Sequence, residues 1–272
     1  MKAMAKWGFR ERVVLITGAS SGIGRELALQ LAERGAWLAL AARDAGRLEA
    51  VAAECIALGG KAVAVPADVR EKAQCEAFVA RTVEAYGRLD ALVNNAGITM
   101  WAKFDELSDP SLLEPIMRVN FFGSVYCTYY ALPHLKRTRG LIVGISSLTG
   151  KTGVPTRSGY AASKHAMAGF FDSLRIELAP SGVGVTMIYP GFVTTEVRER
   201  ALGPDGRPLG ASPVQEEKVM SVERCARIIL KAMERRRREV VMTARGKAGM
   251  WVKLVAPGLV DRMALRAIQR GR

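Results

Sequence analysis

The stretch "LITGASSGIGRELALQLAERGA", Leu15 to Ala36, joins a short apolar run to an alanine- and leucine-rich segment of helical period through a turn with three glycines, Gly18, Gly22 and Gly24. A strand that feeds a helix through such a turn leaves the helix N-terminus with unpaired N–H groups and partial positive charge, a setting that suits a pyrophosphate. Glycines let the backbone turn sharply and approach the ligand with no Cβ in the way, and Ser20, Ser21 and Ile23 are among the four residues between them. The spacing is Gly-x₃-Gly-x-Gly, not the G-x-G-x-x-G of the dinucleotide fingerprint, so the turn alone does not name its ligand.

Outward from this turn the same grammar repeats. Apolar runs at Val13–Ile16, Trp37–Ala41, Ala62–Val65, Leu89–Val93, Leu141–Ile145 and Val183–Ile188 read as strands buried on both faces of a parallel sheet. Between them lie helical segments at Arg25–Arg34, Arg47–Leu58, Lys72–Tyr86, within Pro110–Lys136, and at Tyr160–Leu178. Alternation with short connections predicts a doubly wound α/β sheet with right-handed crossovers, and a single domain over residues 1–272. Gly203 to Pro213, "GPDGRPLGASP", reads as a mobile loop at the heart of a substrate lid over residues 196–220.

Composition narrows the class. Four scattered cysteines with no C-x-x-C pair, and two histidines, offer no metal-ligand cluster, so no metal is expected and the thiols read as reduced and buried in a cytoplasmic protein. The chain has neither a signal-like apolar stretch before its first strand nor a run long enough for a membrane span. Forty basic against 26 acidic residues, net +14, favour anionic company such as a phosphorylated cofactor or an acidic lipid surface. The run Arg235–Arg238 reads as a solvated helix end and brings no nucleic-acid motif with it.

At the end of the second strand, "LALAARDAGRL" places Ala42 where an acidic residue would accept a ribose 2′-hydroxyl, with Arg43 immediately after. A guanidinium there suits a 2′-phosphate, which points to NADP(H); Asp44 reads as the cap of the next helix. In "SGYAASKHA", Tyr160 and Lys164 fall at i and i+4 on one helix face. The lysine ammonium and the oxidised nicotinamide would favour the phenolate and bring the tyrosine towards neutral pH. Ser147, at the end of the fifth strand in "LIVGISSLTG", would face the crevice where ligands bind, with Ser146 turned the other way. His165, a third of a turn beyond Lys164, reads as a packing residue, and His134 as a bystander at a helix end.

Taken in order, "TGASSGIG", Asp68–Val69, "NNAG" at Asn94–Gly97, Asn120, Ser147, "YAASK" and "PGFVTT" from Pro190 resemble the short-chain dehydrogenases/reductases of the Tyr-x-x-x-Lys type over about Val13 to Val197. The resemblance implies a Rossmann-like sheet of about seven strands in the order 3-2-1-4-5-6-7 with helices on both faces. It implies Tyr160 as general acid/base, Lys164 also holding the nicotinamide ribose, and Ser147 orienting the substrate oxygen. Asn120 is then the residue that bends its helix to admit a water and completes a proton relay. Asp68 and Val69 meet the adenine; the turn Asn94 to Gly97 braces the central strand and, through Asn94, Ala96 and Gly97, walls the adenosine side; Pro190, Gly191, Val193 and Thr195 contact the nicotinamide side. Homodimers or homotetramers are the family habit.

The function expected is an NADP(H)-dependent oxidoreductase that interconverts a carbonyl and a secondary alcohol, with a non-catalytic NADP(H) sensor or scaffold as the alternative. Thr99, Met100, Trp101, Leu148, Val154 and Phe192 would line the pocket, and their character points to an apolar lipid-, steroid- or aromatic-like substrate. Beyond the motifs, residues 245–272 form a basic amphipathic extension: seven basic residues stand against Asp261 alone. Leu259, Val260, Met263, Ala264, Ala267 and Ile268 make an apolar helical stripe, with Arg262, Arg266 and Arg270 on another face and Trp251 and Leu254 upstream. The segment 249–272 fits either a peripheral contact with an anionic membrane or packing on a second subunit or the substrate mouth.

Overall fold

The computed structural model describes residues 7–213 and 219–269. Seven parallel strands lie in the order β3-β2-β1-β4-β5-β6-β7: β1 Val13–Thr17, β2 Trp37–Ala42, β3 Lys61–Pro66, β4 Ala91–Asn94, β5 Leu141–Ile145, β6 Gly184–Tyr189 and β7 Glu239–Val241. The helices are α1 Gly22–Ala32, α2 Ala45–Ala57, α3 Lys72–Tyr86, α4 Glu114–Met117, α5 Gly123–Thr138, α6 Ser158–Leu178, α7 Val222–Glu234, α8 Ala244–Val255 and α9 Pro257–Gln269.

All five residues of β1 are buried, and their alternation builds the two layers. Val14 and Ile16 join the core formed with Leu27 and Leu31 of α1, Leu48 of α2 and Ile229 of α7. Val13 and Leu15 join the opposite core with Phe78 of α3, Cys127 of α5 and Phe171 of α6. This is the Rossmann-like arrangement with helices on both faces. Because β1 pairs with β2 on one side and β4 on the other, the chain reverses direction across the sheet at the β1/β4 crevice, where ligands bind in open α/β sheets.

Several boundaries move for local reasons. The run expected from Leu89 becomes β4 only at Ala91, because the buried Asp90 carboxylate is occupied by Arg12 Nη1 (2.8 Å), the Arg88 guanidinium and Val13 N (3.0 Å). The Pro110–Lys136 segment divides into a 3₁₀ turn, α4, a π turn at Arg118–Phe122, and α5, which runs on past Pro133 and keeps His134 inside the helix. No apolar run announced β7, which is three residues long and follows the arginines directly. Those arginines are not all solvated: Arg236, at φ 45°, is half-buried and donates to Arg139 O, Gly140 O and Gly182 O, tying the end of α7 to the loops beneath β5 and β6. All four cysteines are free and buried, and His165 is exposed, with Nδ1 2.9 Å from Ala161 O.

Residues 196–213 fold back on the loop after β4. Trp101 N donates to Leu202 O, Leu202 N to Thr99 O, and Ser108 N to Pro204 O. Residues 214–218 of the expected lid, and Arg270 of the tail, lie outside the described residues. Among the described residues no helix is long and apolar enough to cross a membrane.

Candidate active site

The glycine-rich turn is set by contacts that only glycine permits. Gly18 stands at φ +66° with room for no Cβ, since one would lie 2.8 Å from Ala96 Cα, and a Cβ on Gly24 would lie 2.3 Å from Gly18 O. The loop after β4 braces this turn. Thr17 Oγ1 accepts from Asn95 N and Ala96 N at 3.0 Å, and Asn95 Nδ2 donates to Thr17 O and Gly18 O. Asn94 Nδ2 donates to Thr128 Oγ1 of α5, so the loop is fixed on both sides. Ser21 precedes α1 without capping it by its side chain, which leaves the N-terminal N–H groups of α1 without that partner. From across the crevice, Thr195 Cγ2 comes within 3.1 Å of where a Gly22 Cβ would stand, so Ser20, Ser21, Gly22 and Ile23 share one wall with the loop after β6.

At the end of β2, Arg43 is exposed and makes no ion pair among the described residues, because Asp44 accepts from Arg47 N as the cap of α2. Asp68 is clasped by Arg70 Nε (2.9 Å) and Nη2 (2.6 Å). Partial burial pushes its carboxyl up, but the Arg70 hydrogen bonds and the Arg43 charge bring it on balance below its ordinary value. Val69 packs beneath, against Gly123 of α5. After β6, Pro190 O accepts from Leu148 N, Gly191 lies against Thr243, and Val193 O accepts from Arg198 Nη1 at 2.7 Å and from Thr195 Oγ1.

Tyr160, Lys164 and Ser147 meet beside this wall, and Asn120 reaches them through Ser163. Lys164, 3% exposed, donates to Ile145 O at 2.9 Å, and its Nζ lies 5.7 Å from the Tyr160 ring centre. Asn120 sits in the π turn, where its side chain accepts from Ile98 N and donates to Ile98 O and Ser163 Oγ. Ser163 Oγ in turn donates to Tyr160 O. Ser147 Oγ accepts from Thr149 N and stands near enough to Tyr160 to favour its phenolate, while Ser146 turns away to Lys164 O. The expectation that Lys164 lowers the tyrosine is not met by the chain's own charges. Burial pushes Tyr160 above its ordinary value against the opposing pull of Arg157 and Ser147, and burial brings Lys164 down to about 8.

A match to the short chain dehydrogenase family model covers residues 12–203. The chain belongs to that family. As a short-chain dehydrogenase it is 41% identical, over 92% of its length and 82% of the relative's, to 11-beta-hydroxysteroid dehydrogenase-like 4A of Arabidopsis thaliana. It is 39% identical, over 92% of its length and 73% of the relative's, to 11-beta-hydroxysteroid dehydrogenase A of Sesamum indicum. Among solved structures, a short-chain dehydrogenase/reductase from Burkholderia phymatum in complex with NAD matches with a TM-score of 0.82 and 26% identity, covering 93% of this chain and 96% of that one. An alcohol dehydrogenase from Thermococcus sibiricus complexed with 5-hydroxy-NADP matches with a TM-score of 0.71 and 29% identity over 82% and 90% of the two chains.

Of the expected pocket residues in this short-chain dehydrogenase, Trp101, Leu148, Val154 and Phe192 are half-buried. Thr99 and Met100 are buried, and Met100 packs with Ile116, Leu113 and Tyr160 beneath the site. Sequence reasoning missed Thr17, which with Asn95 fixes the turn, Ser163, which joins Asn120 to the Tyr160 backbone, and Arg157. Arg157 sits three residues before Tyr160, one helical turn away, and that spacing was the available signal.

Proposed function

We propose that the protein is an NADP(H)-dependent oxidoreductase that interconverts a carbonyl and a secondary alcohol on a largely apolar substrate. The observation that carries this reading is the meeting of Tyr160, Ser147 and Lys164 beside the crevice, with Asn120 linked to them through Ser163. The residues present fit the cofactor: a glycine cradle, an α1 N-terminus that Ser21 does not cap, and an exposed Arg43 at the end of β2 with no ion pair among the described residues. Gly18, Ser20, Ser21, Gly22, Ile23 and Gly24 would hold the pyrophosphate, and Arg43 the 2′-phosphate. Asp68 and Val69 would meet the adenine, with Asn94, Ala96 and Gly97 as the adenosine wall. Pro190, Gly191, Val193 and Thr195 would flank the nicotinamide, and Lys164 its ribose.

Bound NADP(H) supplies or accepts the hydride. The protein orients the substrate oxygen through Ser147 Oγ and moves a proton at Tyr160 Oη, giving it in reduction and taking it in oxidation. Lys164 and Asn120 continue the proton path away from the tyrosine. Trp101, Leu148, Val154 and Phe192, with the folded 196–213 segment, exclude water from the reacting carbon. The relatives named as hydroxysteroid dehydrogenases support an apolar hydroxyl or ketone substrate. The testing experiment follows NADPH and NADH consumption across a panel of aliphatic, aromatic and steroid ketones and aldehydes. Turnover of apolar ketones with NADPH is expected; a protein that binds NADPH but reduces none of them is a sensor or scaffold.

The exposed tail adds a location. Trp251, Leu254 and Val255 are 74%, 75% and 84% exposed, beside Leu259 and Met263 on α9. With Arg245, Lys247, Lys253, Arg262 and Arg266 in the same two helices, this apolar face fits the plane of an anionic membrane surface.

A further inference from the structure

Arg157 is 6% exposed, yet its Nε and Nη2 have no hydrogen-bond partner among the described residues. No carboxylate pairs with it among the described residues. Its guanidinium lies 4.6 Å from the Trp101 ring centre, 5.3 Å from that of Phe192 and 5.7 Å from that of Tyr160. Two of these rings belong to the expected substrate pocket, and the third is the proton donor. A second buried arginine nearby, Arg198 over the same Phe192 ring, is anchored to Val193 O and Ser212 Oγ.

A buried charge without a counter-ion is costly, and a buried donor without an acceptor adds to that cost. Aromatic faces compensate part of it through the ring quadrupole, but they do not satisfy in-plane N–H groups. The two orphaned atoms are informative together. Nε and Nη2 form one edge of the guanidinium, the edge that takes both oxygens of a carboxylate side-on in two parallel hydrogen bonds. Three rings crowd the cation, and that edge is shut off from water with no acceptor among the described residues, one helical turn from Tyr160.

We propose that Arg157 is a specificity-determining residue that binds a carboxylate carried by the substrate, a few bonds from the carbonyl that Tyr160 serves. The preferred substrates are then oxo acids and hydroxy acids with an apolar or aromatic body, not neutral ketones. This inference rests on the carbonyl-reductase reading and refines its substrate class. Arg157→Met keeps the apolar bulk and removes the fork, and Arg157→Lys keeps the charge without the paired donors.

The test compares 4-oxo-4-phenylbutanoate with its methyl ester, which has the same body and no charge. In wild type, kcat/KM with NADPH should favour the acid by about tenfold or more, the worth of a charge-assisted bidentate contact. Arg157→Met should bring the acid-to-ester ratio to one or below, whatever the loss of its charge does to turnover of the ester itself, and Arg157→Lys should fall between. A thermal melt supplies a readout independent of turnover. The Arg157→Met protein should melt no lower than wild type in the absence of substrate, and the acid should raise the midpoint of wild type only. A wild-type ratio of one, or a variant that loses both substrates equally or melts lower with the ratio intact, overturns the proposal and makes Arg157 a structural cation. If the broader panel of ketones is also inert, the reductase reading fails, while the melt still decides whether Arg157 binds a carboxylate.

Discussion

Lys164 brings an ammonium into a place sealed from water, where its nearest partners are Ile145 O and the Met167 sulfur. Burial lowers it from 10.5 to about 8, so between those values the folded protein releases a proton that the unfolded chain keeps. Stability is therefore predicted to rise with pH across that window, by about 3 kcal/mol from this group, and the burial cost is fully present below it. Denaturant unfolding of Lys164→Met should show that rise removed and a more stable protein at pH 7; a variant with the wild-type pH slope would place the effect elsewhere. Arg43 allows a sharper test of the cofactor. Arg43→Ala should lower kcat/KM for NADPH by ~10–100-fold and leave NADH nearly unchanged, the loss of one or more charged hydrogen bonds. Equal wild-type values for the two cofactors would contradict the assignment. Tyr160 and Lys164 were legible because helix period places i and i+4 together; Arg157 was not, because its surroundings come from Trp101 and Phe192 on separate loops.

Among the elements, the π turn at Arg118–Phe122 does the most to join the site to the sheet. It presents Asn120 to Ile98 on one side and Ser163 on the other, linking the loop after β4 to α6. Asn120→Ala leaves Ile98 N and O without their partner, at about 1–3 kcal/mol for each buried group abandoned. A fall in the denaturant midpoint together with lower kcat is expected. Wild-type stability would mean that water replaces the amide at no cost. The buried strands were readable as continuous apolar runs, since both faces of the sheet are covered. Strand β7 was not, because three residues, two half-buried and one buried, beside a run of arginines carry no periodic signal. The π turn was hidden for a different reason: one extra residue in a helix changes no residue type, and only the resemblance of "MRVNFFGS" to the family pattern pointed to a bend there.

At the scale of the whole molecule, a parallel sheet gathers the loops after β1, β4 and β6 at its β1/β4 crevice, and a basic two-helix tail leaves Trp251, Leu254, Val255, Leu259 and Met263 exposed. Trp251→Asp with Leu254→Asp alters exposed side chains only, so it should spare turnover of a soluble ketone and abolish salt-sensitive co-sedimentation with anionic vesicles. A wild-type protein that never pellets with such vesicles at low salt would assign the tail to a subunit contact. The central claim is that Tyr160 passes the proton in an NADPH-dependent carbonyl reduction, and its most direct test is kcat for NADPH oxidation with a reactive ketone in wild type and Tyr160→Phe, after both are shown to bind NADPH alike. A fall of roughly 10²–10⁴ or more with NADPH binding unchanged is expected; turnover by Tyr160→Phe within a few-fold of wild type would remove Tyr160 from the mechanism.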